Sequence, residues 1–132
     1  MIFRLPTEKE WNLFAAPILG QKLPWQGELP YEINKKGVKV PFANIKMHDY
    51  ATNSKDYTWD KAYITAQVGN FKANKLGLFD IIGNVAEYTS DGKVKGGSWD
   101  NTIEECFLDK TQDFQMPDPR VWFRLVMVIV EE

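Results

Sequence analysis

Apolar positions repeat with helical spacing at one place in the chain. Trp11, Phe14 and Ala15 fall at i, i+3 and i+4 behind Thr7-Glu8-Lys9-Glu10. That tetrad is a capping box, in which the Thr7 hydroxyl accepts from the Glu10 amide and the Glu10 carboxylate reaches back to the Thr7 amide. The spacing predicts one short amphipathic helix, entered after Pro6 and closed at about Ala16 by Pro17 and Gly20. Two later stretches, Val85 to Ser90 and Lys93 to Trp99, flank Asp91-Gly92, a dipeptide suited to the positive φ angles of a tight turn, and predict a β-hairpin. Val121 to Val130 is apolar at nearly every position except Arg124, which predicts a central strand with both faces covered. Arg124, the lone charge in that strand, is expected to pair with an acid when buried.

From Gln21 to Asn70 no period persists. Gly, Pro, Asn and Asp interrupt the aromatics Trp25, Tyr31, Phe42, Tyr50, Tyr57, Trp59 and Tyr63 every few residues. So long a stretch inside a compact domain needs pinning by ions or aromatic plugs. The class is α+β, with few short helices, a small antiparallel sheet and extensive ordered loops. No internal repeat or low-complexity segment is present.

Composition narrows the functions available. The chain has 132 residues, enough for one domain, 1–132, that buries roughly two-thirds of its unfolded surface. Sixteen Lys and Arg balance 18 Asp and Glu for a formal charge of -2, and no long run of like charge occurs, so the sequence offers no nucleic-acid arm or polybasic membrane patch. The start of the chain lacks a signal-peptide pattern, and the apolar run from Leu125 to Val130 is far shorter than the ~20 residues of a membrane-spanning helix. No membrane insertion is expected, and the compartment stays open. One cysteine, Cys106, excludes an intrachain disulfide and a Cys-x-x-Cys zinc site; one histidine, His48, excludes multi-histidine metal centres.

The residues that remain for chemistry are mostly acids and amides. After the turn at Gly83, extended backbone points positions 83, 85 and 87 the same way, so two carbonyls and the Glu87 carboxylate converge on one point that Asp80 can reach. Hard oxygen donors of that kind suit calcium; a glycine turn followed by two solvated acids is the alternative. Asp49, Asp56 and Asp60 read as loop acids, Asx-turn formers or ligands, with solvated loop residues favoured. Cys106 follows Glu104 and Glu105, which oppose a thiolate, so a buried, inert thiol is expected over a catalytic one. His48 reads as an ordinary loop histidine. Trp99-Asp100-Asn101 and Met116-Pro117-Asp118-Pro119 superficially resemble the sugar-binding tripeptides of calcium-dependent lectins, but Asp100-Asn101 reads better as a turn ending a strand.

In order along the chain, Arg4-Leu5-Pro6-Thr7-Glu8-Lys9-Glu10-Trp11, Leu23-Pro24-Trp25, the segment from Asn74 to Tyr88, Lys95-Gly96-Gly97-Ser98-Trp99 and Trp122-Phe123-Arg124-Leu125 resemble the motifs of the formylglycine-generating enzyme, or sulfatase-modifying factor, family. The resemblance implies a C-type-lectin-like fold and a chain lacking the usual N-terminal part of the family, so that part of the sheet and substrate groove is absent or comes from another chain. It also implies calcium at Asp80, Gly83, Val85 and Glu87, and a second calcium site at Asn44, Ile45, Asp60 and Ala62. Family enzymes hold copper between two cysteines and oxidise a substrate cysteine to formylglycine. Here Asn101 stands at the first of those positions and Cys106 at the second, so a two-thiolate copper site cannot form.

The resemblance therefore implies a non-catalytic, calcium-stabilised binding or structural module, with a protein partner or assembly in a bacterial surface, secretion-associated or phage-particle setting. Two alternatives remain. One is a copper-dependent oxidoreductase using Cys106, and the other is a lectin-like protein that takes a glycan on its Trp-rich loops.

Overall fold

The computed structural model of the protein describes residues 1–16, 18–114 and 117–131. It contains one α-helix, α1 (Glu8–Ala15), and nine short strands: β1 (Ile2–Arg4), β2 (Tyr31–Ile33), β3 (Lys39–Pro41), β4 (Met47–Asp49), β5 (Ser54–Asp56), β6 (Ala86–Tyr88), β7 (Val94–Lys95), β8 (Val121–Phe123) and β9 (Val126–Val128). Elsewhere the described residues form turns and loops, as the broken periodicity requires.

Helix α1 forms where the capping box places it. Glu10 N–H donates to Thr7 Oγ1 and Thr7 N–H to the Glu10 carboxylate, both at 3.2 Å. Arg4 grips the same carboxylate at 2.8 Å, tying β1 to the helix start. The helix ends at Ala15; Pro17, expected to close it, lies outside the described residues. Asn74, 59 residues on from Ala15, donates to the Phe14 and Ala15 carbonyls and accepts from the Leu76 and Leu78 amides. One side chain therefore caps the helix and folds the loop that leads to Asp80.

The sheets are small. β6 pairs antiparallel with β7 through the predicted turn at Asp91-Gly92, where Thr89 N–H donates to the Lys93 carbonyl. β6 also pairs with β8, and this contact is parallel, so the sheet with order β7-β6-β8 is mixed. A parallel partner needs a long crossover, which residues 96–120 supply. Inside the stretch without period, β2–β3 and β4–β5 form antiparallel hairpins. Their strands of three residues are too short to print a two-residue alternation, and His48, expected in a loop, lies in β4.

The last strand departs most from expectation. Val121 to Val130 is not one central strand: it divides at Arg124-Leu125, β8 staying on β6 while β9 crosses to pair with β1. Arg124 turns inward at the break, and both strands are left at sheet edges with Trp122, Phe123, Leu125, Met127, Ile129 and Val130 exposed.

The main core gathers Trp11 and Ala15 from α1 with Leu23, Ala43, Ile45, Ile81, Ile82, Cys106 and Leu108 from the loops. Ala86, Val94 and Val121 form a smaller cluster between the strands of the mixed sheet. Since α1 supplies Trp11 to the main core, loosening the helix start should loosen the domain. Thr7→Ala is expected to lower stability by about 1 kcal/mol, the usual worth of an N-cap, measured by urea denaturation.

Candidate functional site

Glu87 is the electrostatic centre of the site. Its β6 position is buried, and each carboxylate oxygen is engaged: Arg124 Nη2 donates to Oε1 at 2.8 Å, Arg124 Nε donates to both oxygens at 3.1 Å, and Trp11 Nε1 donates to Oε2 at 2.8 Å. Arg124 Nη2 also donates to the Phe79 carbonyl at 2.9 Å and lies 3.4 Å from that of Asp80, while its guanidinium stands over the Phe14 ring. The expected acid partner of Arg124 is thus Glu87.

The backbone expected to run extended from Gly83 does not: Asn84 has φ 61° and β6 begins only at Ala86, so Asp80, Gly83 and Val85 lie in the loop before the strand that carries Glu87, whose charge is already met by Arg124. Asp80 adopts φ 53° and accepts from the Gly69 amide at 3.0 Å. Gly83 must be glycine: its φ is +71° and a Cβ would run into the Asn44 carbonyl and the Ile45 side chain. A calcium ion on this quartet would compete with a guanidinium that the chain itself supplies, so the donor set does not fit a further cation well.

The second quartet is different. Asn44, Ile45, Asp60 and Ala62 come together, with the Asp60 carboxylate accepting from the Ile45 and Ala62 amides at 3.0 Å each. Asp60 is buried, against the solvated position expected of it, and burial pushes its carboxyl up from the usual range. Among the described residues no cationic side chain pairs with it. Asn44 donates to the Ile64 carbonyl at 2.6 Å and to Asn84 Oδ1 at 3.3 Å, and Trp59 Nε1 donates to the Ile45 carbonyl at 2.6 Å. A buried carboxylate held only by dipoles fits a hard cation. Asp49 and Asp56 instead close Asx turns onto the Ala51 and Thr58 amides.

Cys106 and Asn101 flank the same glycine. A Cβ on Gly97, whose φ is +67°, would meet Cys106 Sγ and approach the Asn101 side chain. Cys106 is fully buried, and burial, with Glu105 beside it, pushes the thiol up. Asn101 is committed to structure: its Oδ1 accepts from the Ser98 amide at 2.8 Å and hydroxyl at 3.1 Å, and its Nδ2 donates to Glu105 at 2.6 Å. Gln112 accepts from the Gly97 amide and donates to the Glu105 carbonyl, closing the opposite side. What the arrangement offers is a protonated, enclosed thiol beside an amide, with no thiolate pair.

Two features escaped the sequence reading. Lys95 is buried, its Nζ donating to the Leu108 carbonyl at 2.7 Å and lying over the Trp11 ring, and burial pulls its pKa down. Unlike Arg124, it shares its predicted strand with a second lysine, Lys93, so no pattern in the sequence singled it out. Asp100, at the end of the Gly-Gly-Ser-Trp segment, gathers Tyr57, Arg120 and Lys46 at 3.0, 2.8 and 3.5 Å. Burial opposes its ionisation, but these partners outweigh that and hold its carboxyl below the usual range. Arg120 also holds Asp118 down at about 2. Asp100 and Asn101 are turn residues, and Asp118 is an ion-pair partner. Met116, part of the second tripeptide resemblance, lies outside the described residues.

Comparison with known proteins agrees with this architecture. The family model of the Sulfatase-modifying factor enzyme 1-like domain matches residues 2–129. The formylglycine-generating enzymes of Thermomonospora curvata, Bos taurus and Mus musculus are 35%, 36% and 35% identical to 67%, 76% and 81% of this chain, and 27%, 25% and 26% of their own lengths are covered. The chain therefore spans about a quarter of these relatives. Among solved structures, PvdO from Pseudomonas aeruginosa superposes on 93% of the chain with a TM-score of 0.69 at 18% identity, and Treponema denticola variable protein 1 on 93% with 0.63 at 24%. The aligned parts are 51% and 46% of those chains, so the likeness is one of fold over about half of each.

The enclosure of Cys106 is directly testable. Native protein at pH 8 should react with a chromogenic disulfide reagent at least a hundredfold more slowly than protein in 6 M guanidinium; equal rates would place the thiol at the surface.

Proposed function

The chain belongs to the sulfatase-modifying factor family, and we propose that within it this chain is a non-catalytic, calcium-stabilised module for binding or assembly. The observation that carries this reading is the pair of positions around Gly97. The two-thiolate copper site of the family enzymes that this chain resembles needs both thiolates in reach of solvent and substrate; here one position is an amide bonded to Ser98 and Glu105, and the other is a buried thiol with a raised pKa. Removing Cys106 from its pocket would also mean rearranging the Gly97 turn and the main core. The scaffold motifs around this pair are retained, which supports a selected fold over a selected reaction. A surface, secretion-associated or phage-particle assembly is a setting in which a rigid, loop-rich module of this kind serves.

Calcium belongs to the same proposal, and the quartet of Asn44, Ile45, Asp60 and Ala62 suits it best. Those residues would hold the ion through an amide oxygen, a carboxylate and two carbonyls, and the ion would offset the buried Asp60 charge. At Asp80, Gly83, Val85 and Glu87 the Arg124 guanidinium supplies that compensation instead.

Two measurements separate the readings. Incubated aerobically with copper and a cysteine-containing sulfatase peptide, the protein should yield no aldehyde; turnover lost in Cys106→Ser would establish the oxidoreductase reading. Calcium at a hundred times its Kd should add about 2.7 kcal/mol of stability, seen as a higher Tm that EGTA reverses and Asp60→Asn abolishes. A Tm indifferent to calcium and EGTA would remove the ion from the account.

A further inference from the structure

A cavity of about 340 Å³ lies between the loop 24–26, the β2–β3 hairpin and the segment 72–82. Its size falls in the range of roughly 300–1,000 Å³ typical of small-molecule sites, and none of the residues around Gly97 lines it. The apolar lining is Pro24, Trp25, Phe42, Leu78, Ile81 and Ile82, with the Trp25 and Phe42 rings 5.2 Å apart and tilted by 53°. These walls are fixed before anything binds. The Trp25 indole N–H donates to the Leu29 carbonyl at 2.9 Å, and Gln21 donates to the Trp25 carbonyl at 3.0 Å. Asn74 holds the other loop, bonded to the end of α1 and to the Leu76 and Leu78 amides. With its N–H spent, Trp25 offers the cavity only ring surface, which suits an aromatic or apolar body.

The charges that line the cavity say what else the ligand carries. They are Glu32 from β2, Lys72, Lys75 and Asp80. The Asp80 carboxylate already accepts from the Gly69 amide at 3.0 Å. Glu32, Lys72 and Lys75 are exposed, and among the described residues none of the three pairs with an opposite charge. An apolar, partly aromatic pocket therefore has one unpaired carboxylate on a hairpin strand and two unpaired ammonium groups on a separate loop. A ligand of a single sign would satisfy one set and be repelled by the other, whereas a ligand with both charges beside an apolar body satisfies both. We propose that this cavity binds a free α-amino acid with an aromatic side chain. Its ring lies against Trp25 and Phe42, its carboxylate meets Lys72 and Lys75, and its ammonium group meets Glu32. This inference goes beyond the module reading above and rests on neither assembly nor calcium.

Isothermal titration of the full chain with L-tryptophan tests this, alongside analogues that each lack one feature. L-Tryptophan is expected to bind with a Kd near or below about 1 mM, as the efficiency of a ligand of its size allows. Indole-3-propionate lacks the ammonium group, tryptamine lacks the carboxylate, and N-acetyl-L-tryptophanamide, standing for an aromatic residue inside a peptide, lacks both charges. Each should bind at least about threefold more weakly, the scale of an exposed charge pair, and L-leucine should be weaker for want of a ring. Two variants then locate the charges. Lys72→Ser with Lys75→Ser should weaken L-tryptophan and indole-3-propionate but not tryptamine, and Glu32→Gln should weaken L-tryptophan and tryptamine but not indole-3-propionate. All three side chains are exposed, so the Tm of these variants should match the parent and a lost affinity reports the site. No heat from L-tryptophan at about ten times that Kd would overturn the inference. So would analogues that bind as tightly as L-tryptophan, or variants that change every ligand alike or none.

Discussion

The fold turns on one carboxylate. Glu87 takes hydrogen bonds from the indole of Trp11 and the guanidinium of Arg124, and that guanidinium continues to the carbonyl of Phe79. Four parts of the chain with little regular structure of their own meet there: the helix, the loop before Gly83, the β6 strand and the break between β8 and β9. A charge buried this far is tolerable only with a partner and full hydrogen bonding. The need to satisfy Glu87 explains why Arg124 interrupts the longest apolar stretch in the sequence and why that stretch bends where it does. The same pair places the guanidinium against Phe14, so the apolar face of α1 and the ion pair support one another.

Around that centre the chain keeps the family scaffold. Gly97 leaves room for a sulfur atom, and Cys106 fills it. At the neighbouring position Asn101 ties Ser98 to Glu105, a role that a thiol, a weak hydrogen-bond former, would fill poorly. The result is a tightly packed turn. Asp100, directly before it, extends the polar network outward through Tyr57, Lys46 and Arg120, fixing the loop that ends at Trp99.

Much of this was legible in the sequence, for reasons that differ by element. The capping box and the Trp11, Phe14, Ala15 stripe act locally, so α1 formed as its residues dictate. Asp91-Gly92 likewise fixes its own turn, and a lone arginine in an apolar strand announced a buried acid partner. The hairpins β2–β3 and β4–β5 were hidden because three-residue strands are held by register and by aromatic contacts such as Tyr31 on Trp59, at 6.2 Å, and not by any period of their own. The burial of Asp60 and Lys95 depends on which loops close over them, a property of the whole chain. Val121 to Val130 is the instructive failure. Its apolar pattern predicts one strand covered on both faces, but the buried pairing of Arg124 with Glu87 breaks it into β8 and β9, each at a sheet edge.

If Glu87 and Arg124 hold the domain together as a pair, their effects must be coupled. A double-mutant cycle on Glu87→Gln and Arg124→Met, read by urea denaturation, measures this directly. The account predicts that each single variant loses about 3 kcal/mol, because each leaves a buried group without its partner, and that the double variant loses no more than either single one, a coupling of about 3 kcal/mol. Additive losses, or single variants within about 0.5 kcal/mol of the parent, would contradict it.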